Sequence, residues 1–208
     1  MTASVAGNAA GSSITIGVLA LQGGHAEHLA ALSRLGRVRP VQVRTVQDLA
    51  SIDAIILPGG ESSAIGRLLD VFGLMEPLRK RIAAGMPAWG TCAGMILLAR
   101  DLDNDERRHL GLMDIAVTRN AYGGQLDSFE ASAVIPELGQ EPFPLVFIRA
   151  PSITRMEPGV RVLAHLEGSP VACVEKAMVA TSFHPELTGD GRFHQWFAAF
   201  ARSYLVPR

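Results

Sequence analysis

Apolar residues come along this chain in short, nearly unbroken runs, separated by glycine-bearing turns and by segments of helical period. Ile14 to Leu21 is the first run and closes on Gln22-Gly23-Gly24. A run without polar alternation predicts a strand buried on both faces, as in a parallel sheet. The segment from about His25 to Leu35 predicts a helix with Ala26, Leu29, Ala30 and Leu32 toward the core, stopped by Gly36. Val41 to Val46 alternates and predicts a second strand, and Ala54-Ile55-Ile56-Leu57 a third, broken at once by Pro58-Gly59-Gly60. Ile65, Leu68, Leu69 and Phe72 then fall at i, i+3, i+4 and i+7, one helical stripe. A helix near Met75 to Ala84 leads to a short strand that ends before Cys92, and an apolar helical run follows the cysteine. Strands alternating with helices indicate a parallel α/β sheet.

The second half has a different rhythm. Ile115 to Thr118, Ser128 to Ile135, Leu145 to Ile148, Arg161 to His165, Val171 to Val174 and Met178 to Phe183 predict strands with no convincing helix between them. They are expected as hairpins at one edge of the sheet, some returning to it. A closing helix carries Phe193, Trp196, Phe197, Phe200 and Tyr204 on one face, which reads as core packing. The expected fold is a three-layer α/β sandwich with a mostly parallel central sheet, helices on both faces and a site at the carboxyl ends of the strands.

Composition narrows this only slightly. The chain has 208 residues, 48% hydrophobic and 19% charged, with a formal charge of −1. That suits one domain, residues 14–208, and points to neither a nucleic-acid nor a membrane partner. Residues 1–13 are small and polar, with no basic start and no apolar centre, and read as a disordered extension instead of a signal peptide. Cys92 and Cys173 are the two cysteines. They offer neither a metal spacing nor a disulfide framework, so a reducing cytoplasm is expected. Cys173 lies in a strand-like run and reads as inert packing. His25 and His28 are three apart on a predicted helix, but no third ligand is evident, and both read as surface residues.

Chemistry concentrates in three places. In Gly90-Thr91-Cys92-Ala93-Gly94 a cysteine stands between a strand end and a helix start, with glycine two residues away on either side. A nucleophile on a sharp strand-to-helix turn needs small neighbours, because a side chain there would strike the adjoining strand or helix. The same turn aims the first N–H groups of the helix at the sulfur. A buried structural thiol is the competing reading. In Ser182-Phe183-His184-Pro185-Glu186, Pro185 pushes His184 toward an extended conformation, in which residues i and i+2 share a side. Glu186 can then orient His184 and stabilise its imidazolium. Pro58-Gly59-Gly60-Glu61-Ser62 ends a buried strand and opens a helix capped at Ser62 or Ser63. It lacks the lysine of a phosphate-binding loop, and its glycines let the backbone approach something small, with the Gly60 N–H as an oxyanion donor.

These three stretches together resemble a class I (triad-type) glutamine amidotransferase. Gly17 to Gly23, Arg119-Asn120-Ala121-Tyr122-Gly123, Asp127-Ser128-Phe129-Glu130 and Phe147-Ile148-Arg149-Ala150-Pro151 narrow the likeness. They resemble the glutaminase subunits of pyridoxal 5′-phosphate synthase, from about Ile14 to the final helix. Gly124 stands where that family often has arginine, and Ser63-Ala64 where it has a threonine pair. The resemblance implies hydrolysis of L-glutamine to L-glutamate and ammonia by Cys92, His184 and Glu186, with the Gly60 and Ala93 N–H groups as the oxyanion hole. It also implies glutamine binding by Gly60, Glu61, Ser62, Arg119, Ile148 and Arg149, no cofactor or metal, and a separate barrel-fold synthase subunit that takes the ammonia. Without the resemblance, Arg119 and Arg149 would read as members of surface ion pairs. Other amidotransferase glutaminases, elbow-cysteine hydrolases or chaperones, and a non-catalytic protein on the same fold are the rival readings.

Overall fold

The computed structural model describes residues 13–103, 105–119 and 128–205. The extension up to residue 12 lies outside them, as do Asn120, Ala121, Tyr122, Gly123, Gly124 and Asp127 of the quoted motifs. The first half runs β1 (Ile14–Leu19), α1 (His25–Ser33), β2 (Val38–Val43), α2 (Val46–Ala50), β3 (Ala54–Leu57), α3 (Ser62–Val71), α4 (Met75–Ala83), β4 (Ala88–Thr91) and α5 (Ala93–Leu98). Then come β5 (Ala99–Leu102), β6 (Met113–Thr118), β7 (Ser128–Ala133), β8 (Phe143–Ile148), β9 (Ser152–Met156), β10 (Arg161–Leu166), β11 (Ser169–Glu175), β12 (Met178–Thr181) and α6 (Arg192–Arg202).

The central sheet has seven strands in the order β10-β11-β12-β4-β3-β1-β2. From β12 to β2 every neighbouring pair is parallel, whereas β10, β11 and β12 pair antiparallel at the other edge. The expected return of late strands to one edge is therefore seen. The run of β3 has no polar member because both its faces are covered. Ile55 and Leu57 belong to one apolar core, and Ala54 and Ile56 to another on the opposite face. The first core takes in residues of α2 to α5 and of the small sheet β5-β6-β9; the second takes in α1, α6 and the β7-β8 hairpin. These are the three expected layers.

Several local expectations change. The second strand lies at Val38–Val43 instead of Val41 to Val46. It is the sheet's edge, where Pro40 and its missing N–H are tolerated. Thr45 has left the strand to cap α2 in a reciprocal box with Asp48. The strands β5 and β9 escape the period-2 signal, because both are short and carry charged or polar residues. Phe72 does not join its stripe; it follows the last residue of α3 and is 54% exposed. On α1 the buried residues are His28 and Leu32, while Ala26 and Ala30 are exposed. In α6 the buried residues Phe193 and Phe197 pack on Trp89 of β4, and the ring of Phe193 stacks at 4.7 Å.

Candidate active site

The strands β1, β3, β4 and β12 run parallel, so the loops leaving their carboxyl ends gather in one place. Cys92 occupies the turn between β4 and α5 with φ 49° and ψ −103°. That left-handed backbone is strained for a residue with a side chain, and such strain is what an elbow imposes on the residue at its tip. The glycine requirement is met by backbone crowding. A Cβ at Gly90 would lie 2.3 Å from the Gly94 carbonyl oxygen, and one at Gly94 would lie 2.0 Å from that of Leu57. Cys92 and Ala93 line a cleft of about 340 Å³ together with Gly60, Glu61, Arg119, Arg149, His184 and others. Cys173 is wholly buried in β11, and burial, with the nearby Glu175 charge, pushes its thiol up to about 12.

His184 leaves the end of β12 and faces this cleft. Its Nδ1 is 2.8 Å from Glu186 Oε1, and the Glu186 side chain is 1% exposed. The contact is the expected one, but the backbone differs: Pro185–Leu187 forms a 3₁₀ turn, for which the fixed φ of Pro185 suits the first position. The imidazole packs against bare backbone, since a Cβ at Gly59 would sit 2.3 Å from its Cε1. Burial disfavours the charged ring, yet the neighbouring Cys92 sulfur and the Glu186 carboxylate outweigh it and raise His184 to about 10. Cys92 Sγ lies 3.8 Å from the Ile148 carbonyl oxygen, and His184 Nε2 is buried with no hydrogen bond of good geometry among the described residues. The sulfur and the imidazole are neighbours with no aligned hydrogen bond between them.

A cysteine on an elbow, a histidine–carboxylate pair beside it and a glycine loop opposite narrow the comparison with known proteins to cysteine amidohydrolases of this fold. The model of the SNO glutamine amidotransferase family matches residues 18–202. This chain belongs to that family. Among relatives, a protein named pyridoxal 5′-phosphate synthase subunit PdxT from Ruminiclostridium cellulolyticum is 52% identical over 183 residues, covering 88% of this chain and 97% of its own. A protein of the same name from Carboxydothermus hydrogenoformans is 52% identical over 182 residues, covering 88% and 95%. A crystal structure described as a glutamine amidotransferase superposes with a TM-score of 0.85 at 44% identity, covering 89% of this chain and 98% of that one.

As in any glutamine amidotransferase, a site for a free amino acid has to answer two charges at one end and an amide at the other. Arg119 Nη2 lies 2.9 Å from Glu61 Oε1, and Arg119 also reaches Ser63 Oγ at 3.2 Å. Glu61, and neither Ser62 nor Ser63, caps α3: its carboxylate accepts from the Ser63 and Ala64 N–H groups. A two-atom-longer reach from one residue back does what a serine hydroxyl does at the usual cap. Burial opposes it, but those two N–H groups and Arg119 hold the Glu61 carboxyl below the usual carboxylate range. Ser62 is 2% exposed with its hydroxyl unpartnered, and Arg149 stands at φ 42° with its side chain exposed at the rim. The Ala93 N–H opens α5, a position with no carbonyl behind it in its own helix.

Three residues of the site were not picked out from the sequence. Gln22 Oε1 accepts from the Glu61 N–H at 2.8 Å and braces the glycine loop. Thr91 Oγ1 accepts from the Gly59 N–H at 3.0 Å. His28, expected at the surface, is 0% exposed and lies 3.3 Å from Glu186 Oε2. The available signal was its spacing, four residues before the buried Leu32 on the same helix face. Among the described residues no group of histidine, cysteine and carboxylate side chains could hold a metal ion.

Proposed function

We propose that this chain is the glutaminase subunit of a pyridoxal 5′-phosphate synthase, hydrolysing L-glutamine to L-glutamate and ammonia. The observation that carries the reading is the meeting of Cys92, on its strained turn, with the His184–Glu186 pair 2.8 Å apart in one cleft. The names of relatives at about half identity over nearly their full length support the pathway. In this reading the Cys92 thiol proton already rests on His184 Nε2, in keeping with the raised His184, and the thiolate Sγ attacks the side-chain amide carbon. The oxyanion of the tetrahedral intermediate accepts from the Gly60 and Ala93 N–H groups. His184 returns the proton to the amide nitrogen, the C–N bond breaks and ammonia leaves. Water, deprotonated by the same histidine, opens the thioester, and the proton goes back to the sulfur. Arg119 and Arg149 take the α-carboxylate, Glu61 the α-ammonium, and the Gly60, Ser62 and Ile148 positions shape the rest of the glutamine site.

The ammonia goes to a separate barrel-fold synthase subunit, in the cytoplasm. Among the described residues no helix is long and apolar enough to cross a membrane. The open Cys92–His184 contact fits a site that closes only when substrate and partner are both present. The experiment is a titration of the synthase subunit at fixed glutamine, following ammonia and pyridoxal 5′-phosphate together. Weak hydrolysis alone and a saturable rise with added subunit are expected. A flat response with no detectable complex would identify a stand-alone hydrolase instead.

A further inference from the structure

Behind the candidate triad lies a buried polar cluster that the reaction as written does not use. His28 of α1 and His194 of α6 are both 0% exposed, and their rings meet at 3.0 Å, Nδ1 of His28 to Nε2 of His194. The other nitrogen of His28, Nε2, lies 3.2 Å from Thr91 Oγ1 and 3.3 Å from Glu186 Oε2. Among the described residues Glu186 Oε2 and His194 Nδ1 are both buried with no hydrogen bond, so His28 Nε2 meets Oε2 at 3.3 Å as a charge contact. A carboxylate held so far from water needs donors on both oxygens. Only Oε1 has one from within the triad.

The protons of the pair can be placed. Burial, and after it the neighbouring His194 and His184, keep His28 well below its ordinary value, and burial holds His194 at about 4. Each ring is therefore neutral near pH 7 and carries one N–H. If His28 carried it on Nδ1, His194 Nε2 would be the acceptor and His194 Nδ1–H a buried donor with nothing to bond. The lone pair of His28 Nε2 would also face the Glu186 carboxylate. If His28 carries it on Nε2, His194 Nε2–H donates to His28 Nδ1, and His28 Nε2–H donates to Thr91 Oγ1 at 3.2 Å while standing 3.3 Å from Glu186 Oε2. Of the two rings, the unmatched atom is then only the His194 Nδ1 lone pair, and the Glu186 oxygen faces a donor instead of a lone pair. A buried unmatched donor beside an unmatched charged oxygen is the costlier outcome. The second arrangement is the one the surroundings select.

We propose that His28 is a positioning residue of this site: His194 fixes it as the Nε2–H tautomer, and it restrains Glu186 so that Oε1 stays aligned on His184. Its catalytic consequence rests on the glutaminase reading given above. Elements far apart in sequence, α1 and α6, then brace a carboxylate on the turn after β12, and Thr91 ties the same cluster to the glycine loop through Gly59.

The test has two arms. The first is ¹⁵N spectroscopy of the histidine rings in the wild-type chain, which needs no activity. His28 is expected as the Nε2–H tautomer from pH 6 to pH 8, and partly as Nδ1–H in His194→Leu. An Nδ1–H tautomer for His28 in the wild type overturns the proposal. The second arm is steady-state glutamine hydrolysis with the cognate synthase subunit present. His28→Gln puts an amide N–H near the place of Nε2, and kcat is expected within about threefold of wild type. His28→Asn cannot reach it and His28→Leu has no donor, and both are expected to lose roughly 10–100-fold in kcat, the range for partners that orient a functional side chain from behind, with KM nearly constant. Wild-type kcat in His28→Leu, or equal losses in the Gln and Asn variants, overturns the proposal. Should the wild type itself release no ammonia, the glutaminase reading falls, while the tautomer measurement still decides the proton arrangement.

Discussion

At the scale of single residues the site is a set of conflicts held in place. Cys92 sits at φ 49°, where a side chain costs about 1–3 kcal/mol. Cys92→Gly is therefore expected to melt about 2–4 °C above Cys92→Ala, roughly 1 kcal/mol in a chain of this size, and scanning calorimetry of the two inactive variants measures it. A glutamine-mimicking electrophile is expected to label Cys92 and leave Cys173 untouched, since burial holds the Cys173 thiol at about 12; peptide mapping decides. His184→Ala is expected to lower kcat by at least roughly 10²-fold, the low end for general acid–base catalysis. Glu186→Gln, which keeps an oxygen available to Nδ1–H, is expected to keep measurable turnover. Activity of His184→Ala within a few-fold of wild type would remove it from the mechanism.

At the scale of elements, the glycines around the elbow are fixed by contacts that the spacing alone predicted. Gly94→Ala drives a Cβ into the Leu57 carbonyl of β3, so a loss of about 3–5 kcal/mol or failure to fold is expected. Gly36→Ala, with nothing within 4 Å, is the control and is expected within about 0.5 kcal/mol of wild type in urea. What was legible followed the same divide. Buried strands such as Ala54–Leu57 and the elbow show in the sequence because both faces of the sheet are apolar and the turn admits only glycine. His28 was illegible because a polar side chain at a helical position reads as solvent-facing. Its partners Glu186 and His194 are more than 150 residues away along the chain, and only the fold brings them to it. The cap at Glu61 was missed for a related reason: a serine was the stronger local signal, and a longer carboxylate one residue earlier reached the same N–H groups.

At the scale of the whole molecule, histidines set the pH range of stability in two directions. His194 falls from an ordinary 6.5 to about 4 on folding, so the unfolded chain binds more protons between these values. Its contribution is complete above pH 6.5 and is lost as pH falls through 4, on the order of 3 kcal/mol. His28 acts in the same sense. His184 is raised to about 10, so its contribution is complete below pH 6.5 and is lost as pH rises through 10. A stability maximum near pH 6 to 7 is expected from urea melts across pH 4 to 10. His194→Gln is expected to flatten the acid limb and His184→Ala the alkaline one; unchanged limbs would contradict these assignments.

The pairing of Arg119 with Glu61 gives the empty cleft a selectivity of its own. An arriving amino acid does not meet bare charges. In the proposed glutamine site its carboxylate would take Arg119 from Glu61 and its ammonium would take Glu61 in return, so two partners would change hands. A simple amide with only one of the two groups breaks the same pair and satisfies half of it. On that assignment such amides are expected to be turned away at the cost of the charge they leave alone, whatever the fit of their reactive end.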